Sequence, residues 1–106
     1  MPAYKPTRPF KRPPTHPGEL MREAIKEHLC MPVAEAARRM KISRQALHAV
    51  LRGRTDLSAD MALRFARLTG DEPTLLVDMQ ERLNLWRARH RLAKVLREIE
   101  PAESAA

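Results

Sequence analysis

A chain of 106 residues, 43% of them hydrophobic, is long enough for one folded domain, and a second domain is not expected. Its net charge of +7 at pH 7 favours a polyanionic partner. Ribosomal and membrane-surface proteins share such a positive net charge. The single cysteine excludes an internal disulfide, and three glycines are too few for a glycine-rich nucleotide-binding loop.

The sequence carries no motif of an enzyme, a cofactor site or a membrane protein. No apolar run approaches the roughly 20 residues of a membrane span, and the N-terminus lacks the apolar core of a signal peptide. The four histidines lack metal-binding spacing, and no nucleophile and base pattern is visible. We therefore expect a cytoplasmic protein that is not an enzyme and holds no cofactor or metal, with Cys30 as a small buried hydrophobic residue.

Residues 1–15 are predicted to form a flexible basic arm. They contain five of the nine prolines and four basic residues without an acid, which favours an extended segment over a helix. Such an arm can follow DNA phosphates, enter a minor groove or contact a partner protein, and it can equally be a solubilising tail. Residues 16–106 are expected to form the single folded domain.

The first helix is predicted to begin at His16-Pro17-Gly18-Glu19. Proline suits the first turn of a helix, and the charge of Glu19 favours the positive end of the helix dipole. The helix should end near Leu29 or Cys30, ahead of Pro32. Its apolar stripe comprises Leu20, Met21, Ala24, Ile25 and Leu29.

A helical hairpin is predicted between residues 33 and 53. Apolar residues spaced by three and four define a short helix over residues 33–40. Ser43 is a good N-cap for a second helix that runs to about Arg52. Gly53 should end this helix, because glycine adopts the left-handed conformation without a steric cost.

Two short helices joined by so few residues must cross steeply, and the small Ala37 allows the close approach opposite Leu47. The outer face of the second helix then begins with Arg44 and Gln45, followed one turn later by His48. These side chains suit base edges in the DNA major groove, since arginine pairs with guanine and glutamine with adenine. Helical hairpins with a polar outer face also occur in proteins that bind no nucleic acid, so the hairpin alone leaves both interpretations open.

The charge around the hairpin favours nucleic acid. Residues 31–56 hold six basic and two acidic side chains, and a basic patch around a reading face is typical of phosphate binding. The predicted phosphate contacts are Lys41, Ser43, Arg52, Arg54 and Thr55.

A fourth helix should begin after its N-cap Ser58 and end at Gly70, with Arg64 and Arg67 on its outer side. A long C-terminal helix is predicted from Pro73 to about residue 100, because no proline or glycine interrupts it.

The C-terminal helix is expected to mediate assembly. Trp86 should pack where the helix leaves the body, and the apolar residues past Arg89 need a further partner. A homodimer through this helix satisfies them, because one patch then covers its own copy. Two hairpins roughly 34 Å apart can read an inverted repeat in double-stranded DNA.

Four segments together carry a recognisable family pattern. They are HPGELMREAI, AEAARRMKISRQALHAVLRGR, LSADMALRFARLTG and LLVDMQERLNLWRARH. From about His16 to His90 the chain resembles HigA-type antitoxins, of the VapI-like branch of the Xre-like helix-turn-helix family. The resemblance implies an all-α, five-helix DNA-binding domain of the Xre or lambda-repressor type that dimerises, represses its own operon and neutralises a neighbouring toxin. That toxin is usually a RelE-like, mRNA-cleaving RNase.

The resemblance also assigns site residues. Arg44, Gln45 and His48 occupy the family's base-reading positions, and Arg52 and Arg54 occupy positions that contact the DNA backbone.

Three positions depart from the family pattern. Val33 stands where a glutamine usually holds a phosphate, and residues 74–76 replace a common tryptophan. Lys41 replaces the usual glycine of the turn, which in a left-handed conformation costs around 1 kcal/mol relative to glycine.

Three functional hypotheses follow. The first is a dimeric antitoxin that binds operator DNA, represses its operon and neutralises a RelE/HigB-like toxin. The second is a stand-alone Xre-family transcriptional regulator without a toxin. The third is a helical adaptor whose basic surface binds an acidic protein or RNA, for which binding would be salt-dependent but independent of sequence.

Overall fold

The computed structural model describes residues 12–103, and within this range the protein is all-helical. The predicted arm lies outside the described residues except for residues 12–15, which are not helical. The helices are α1 (Pro17–Glu23, continued by a π-helical segment Ala24–Leu29), α2 (Val33–Met40), α3 (Arg44–Leu51), α4 (Ala59–Thr69), α5 (Thr74–Arg91) and α6 (Ala93–Glu98).

The first helix begins at Pro17, as predicted, and ends at Cys30. Cys30 takes a left-handed conformation with φ of 50°, and its thiol donates to the carbonyl of Glu27 at 3.6 Å. The prediction that Cys30 is buried is wrong, because this residue lies at the left-handed end of the helix with its side chain exposed. Leu20 is also more exposed than predicted, at 37%, since it lies at the edge of the α1 stripe.

The hydrophobic core lies between α1, α2, α3, α4 and the first half of α5. Ala37 and Leu47 are 2% and 0% exposed, as expected for residues between α2 and α3, which pack against each other. The core is formed by Met21, Ile25, Ala36, Ala37, Met40, Leu47, Val50, Leu51, Leu57, Met61, Ala62, Phe65 and Leu76.

The helix ends predicted at Ser43, Gly53, Ser58 and Gly70 are confirmed. The hydroxyl of Ser43 accepts from the backbone N–H of Ala46 at 3.0 Å, and that of Ser58 accepts from Met61 at 3.1 Å. Gly53 and Gly70 have φ of 73° and 80°, the left-handed values that these turns require.

The prediction of one continuous helix from residue 73 to about 100 is wrong. Leu92 departs from helical geometry, with ψ of 8°, and separates α5 from α6. The last turn of α5 contains Arg89, His90 and Arg91, and cations stabilise the negative end of a helix dipole, so α5 can end without proline or glycine. The break therefore lies where the sequence has no helix-breaking residue, and a search for proline and glycine misses it.

The second half of α5 and α6 extend away from the core. Trp86 is half-buried, and its ring centroid lies 4.0 Å from that of His90. α6 packs against α5 and contributes no buried residue. Between residues 12 and 103, no helix is both long and apolar enough to cross a membrane.

Candidate nucleic-acid interface

The start of α3 presents the predicted base-reading side chains to solvent. Arg44 and Gln45 are exposed, and neither makes a side-chain hydrogen bond or ion pair within the described range. His48 is half-buried and follows them by one helical turn, so that all three lie on neighbouring positions of the helix surface. This arrangement suits a helix that enters a groove by its N-terminal end.

The predicted phosphate contacts lie at both ends of α3. Lys41 and Ser43 precede the helix, whereas Arg52, Arg54 and Thr55 follow it, and all five are exposed. Positive charge therefore flanks the base-reading positions on both sides. Such a distribution fits phosphates on either side of a groove.

The turn before α3 has the strained geometry that the family resemblance implied. Lys41 has φ of 62° and ψ of 39°, and the N–H of Ile42 donates to the carbonyl of Ala37 at 3.1 Å. The prediction that Arg64 lies on the outer side of α4 is incomplete, because its side chain also contacts the turn between α2 and α3. Its Nη1 donates to the carbonyl of Met40 at 2.8 Å and to that of Lys41 at 3.2 Å.

The loop after α3 is held by the first residues of the domain. Nδ1 of His16 accepts from the N–H of Gly18 at 2.9 Å, and Nε2 lies 3.0 Å from the carbonyl of Thr55. Because a carbonyl only accepts, Nε2 carries the proton and donates. His16 therefore both caps α1 and binds the loop that carries Arg54.

Gly18 brings the start of α1 directly against the end of α3. A Cβ atom at this position would lie 2.0 Å from the carbonyl oxygen of Val50. The HPGE motif thus has a physical basis, because its histidine holds the loop and its glycine permits the contact with α3. The sequence showed the motif, but its partner residues lie more than 30 positions away.

α5 supports the same loop from the other side. Oε1 of the buried Gln80 accepts from the N–H of Leu57 at 2.8 Å, and its Nε2 donates to Asn84 at 2.9 Å. Nη1 of Arg87 donates to Asp56 at 2.7 Å. The hydrogen bond from Arg87 lowers the pKa of the Asp56 carboxyl below its usual value.

Two further features limit the chemistry of this surface. Val33 is half-buried, and its apolar side chain cannot supply the phosphate contact of the glutamine it replaces. No group of three or more histidine, cysteine or acidic residues that could hold a metal ion occurs in the part of the chain that the structure describes.

Known proteins share this architecture, although no protein-family model matches the sequence. An uncharacterized HTH-type transcriptional regulator of Haemophilus influenzae is 25% identical over 93 residues, which cover 86% of this chain and 87% of the relative.

Two solved structures are more similar in sequence. Pseudomonas aeruginosa antitoxin HigA, determined with the higBA promoter, is 30% identical with a TM-score of 0.76, and the match covers 85% of this chain and 99% of that one. Pseudomonas aeruginosa PA4674, in complex with 28 bp of its operator DNA, is 30% identical with a TM-score of 0.74, and the match covers 84% and 99%. The matches extend over nearly the whole of both relatives and confirm the resemblance seen in the sequence. The chain belongs to the HigA family of Xre-like helix-turn-helix antitoxins.

Proposed function

We propose that this chain binds double-stranded operator DNA with α3 in the major groove and represses its own operon. Arg44 and Gln45 read base edges, and His48 contributes one turn later. Lys41, Ser43, Arg52, Arg54 and Thr55 contact phosphates and fix the register of the protein on DNA.

The observation that carries this proposal is the joint exposure of Arg44 and Gln45 at the start of α3, with Lys41 before the helix and two further basic residues after it. Both side chains are free of partners among the described residues, so DNA binding would break no internal interaction of theirs. Two relatives, PA4674 and HigA of Pseudomonas aeruginosa, have been solved with operator or promoter DNA. Their similarity supports the same use of this surface.

Binding titrations on the chain's own upstream DNA test the proposal. Arg44→Ala and Gln45→Ala should each weaken binding to the cognate site by roughly 1 to 3 kcal/mol. Both variants should bind scrambled DNA with almost the affinity of the wild type. Arg67→Ala is a matched control, because it removes an exposed arginine of α4 that has no ion pair in the described part. Equal losses on cognate and scrambled DNA would contradict base reading by α3.

The DNA-binding form is proposed to be a homodimer that reads an inverted repeat. Apolar residues at the end of the chain lie in one stripe at helical spacing and are 38% to 60% exposed. A second copy would cover this stripe by isologous contact. The residues are Leu92, Val95, Leu96 and Ile99. Light scattering on the purified chain tests this assembly, and a monomer at the concentrations used for DNA binding would exclude it.

The partner of the repressor is proposed to be a RelE/HigB-like, mRNA-cleaving toxin encoded beside it. The membership of the HigA antitoxin family supports this partner. A stand-alone Xre-family regulator is the second candidate, since one relative, from Haemophilus influenzae, is an uncharacterized HTH-type transcriptional regulator. Expression of the neighbouring reading frame with and without this chain separates the two, because only an antitoxin restores growth and mRNA integrity.

A further inference from the structure

We propose that Arg64 is a positioning residue that sets the orientation of α3 for DNA reading. This role rests on the proposed function, since it acts through Arg44 and Gln45. Arg64 belongs to α4, outside the helix-turn-helix, and contacts the turn between α2 and α3 through its guanidinium group.

The turn leaves two carbonyl groups that Arg64 satisfies. The N–H groups of Lys41 and Ile42 return to the carbonyls of Arg38 and Ala37, which closes the end of α2 in the manner of a Schellman motif. The carbonyls of Met40 and Lys41 lie beyond these bonds, and both accept from Nη1 of Arg64. The positive guanidinium also lies at the negative end of the α2 dipole.

The guanidinium is itself held in place. Its Nε donates to Oδ1 of Asp60 at 2.5 Å, one turn earlier on α4. The planar fork of arginine thus joins α4, through Asp60, to the last carbonyls of α2. A lysine has the charge but cannot make these bonds in one plane.

The identity of residue 41 makes this clamp important. Lys41 takes the left-handed conformation, with φ of 62°, at a steric cost that glycine would not have. Ser43, the N-cap of α3, lies two residues further on, and the base-reading residues follow directly. A turn that relaxes toward another conformation would therefore move Arg44 and Gln45 together.

Arg64→Ala in the full-length chain tests the role, with DNA affinity measured on cognate and scrambled sites. We expect the ratio of cognate affinity to scrambled affinity to fall by about tenfold. This loss is within the range of one bidentate base contact. The preference of Arg64→Lys for cognate DNA should lie between those of the wild type and Arg64→Ala, although lysine keeps the charge. Arg67→Ala removes the same charge from the same helix and should preserve the preference for cognate DNA.

A second substitution distinguishes positioning from a direct phosphate contact. Lys41→Gly removes the steric cost of the turn and also a proposed phosphate contact, which weakens binding to both DNAs. In this background, adding Arg64→Ala should change the preference for cognate DNA less than twofold. A direct phosphate contact would instead weaken both DNAs equally, reduce the salt dependence of binding and show no rescue by glycine, which would overturn the proposal.

Stability is monitored separately, because the loss of Arg64 leaves two carbonyls unpaired. Binding is measured under conditions in which circular dichroism shows each variant to be folded. If Arg64→Ala is unfolded, the comparison is made with Arg64→Lys instead. A fall in melting temperature with unchanged preference for cognate DNA would limit Arg64 to a structural role and overturn the proposal. A wild-type chain without any preference would refute the proposed function as well, so the two failures are distinguishable.

Discussion

At the scale of single residues, His16 uses both ring nitrogens to join two distant parts of the chain. Its Nδ1 accepts from Gly18 within α1, and its Nε2 donates to the carbonyl of Thr55 in the loop after α3. Only the neutral ring with the proton on Nε2 makes both bonds. The two functions of the residue can therefore be separated by substitution.

We expect His16→Ala to lower the free energy of unfolding by about 1 kcal/mol, the usual cost of losing an N-cap. His16→Asn keeps a capping oxygen but is too short to reach Thr55. It should therefore recover most of the stability while DNA affinity stays below that of the wild type. Urea unfolding and DNA titration on the same samples measure the two effects. Full recovery of both by asparagine would show that the bond to Thr55 does not support DNA binding.

The residues also show which contacts a sequence can reveal. The caps at Ser43 and Ser58 are predictable because each bonds an amide three residues away. His16, Arg64 and Gln80 bond backbone groups that lie 39, 24 and 23 positions away. Such partners depend on how the helices pack, which periodicity and capping rules do not determine.

At the scale of secondary structure, α5 supports the loop that precedes α4. Gln80 bonds the backbone of Leu57, and Arg87 bonds the side chain of Asp56. The lack of proline and glycine in this segment predicted that α5 exists. It did not predict that α5 ends at Arg91. The α5–α6 break at Leu92 coincides with basic residues in the last turn of α5, which suit a helix end but are no helix-breaking signal.

The Asp56 and Arg87 pair predicts a specific dependence of stability on pH. Because Arg87 lowers the pKa of Asp56 in the folded chain, the pair contributes stability that is fully present above the usual value of 3.8 and is lost as the pH falls through the lowered value. Relative to Asp56→Asn, the wild type should be more stable at pH 7 by less than about 1 kcal/mol, since the pair is exposed.

Urea unfolding of both chains between pH 7 and pH 2 measures this difference, which should shrink only in the acidic range. Salt at about 1 M should also reduce it, because screening weakens exposed pairs. A difference that persists unchanged at pH 2 would mean that Asp56 acts through something other than its charge.

At the scale of the whole molecule, positive charge is concentrated where DNA binding is proposed. Residues 1–15 carry a net charge of +4, and residues 31–56 carry a further +4, whereas the remaining residues sum to −1. His16, the residue that follows the arm, bonds Thr55 within the second basic region. The C-terminal end of the arm thus lies beside the loop that bears Arg54, at one edge of the proposed DNA-binding surface.

This placement leads us to expect that the arm neutralises DNA phosphates. Deletion of residues 1–12 removes all four of its basic residues and leaves the helices untouched. The slope of log affinity against log salt should become shallower by about 0.9 for each phosphate that the arm no longer neutralises, on cognate and scrambled DNA alike. Arg22→Ala together with Arg82→Ala removes exposed charge from α1 and α5 and should leave the slope nearly unchanged. A deletion that preserves the slope would instead support a solubilising tail, because counterion release reports every phosphate that a bound cation neutralises.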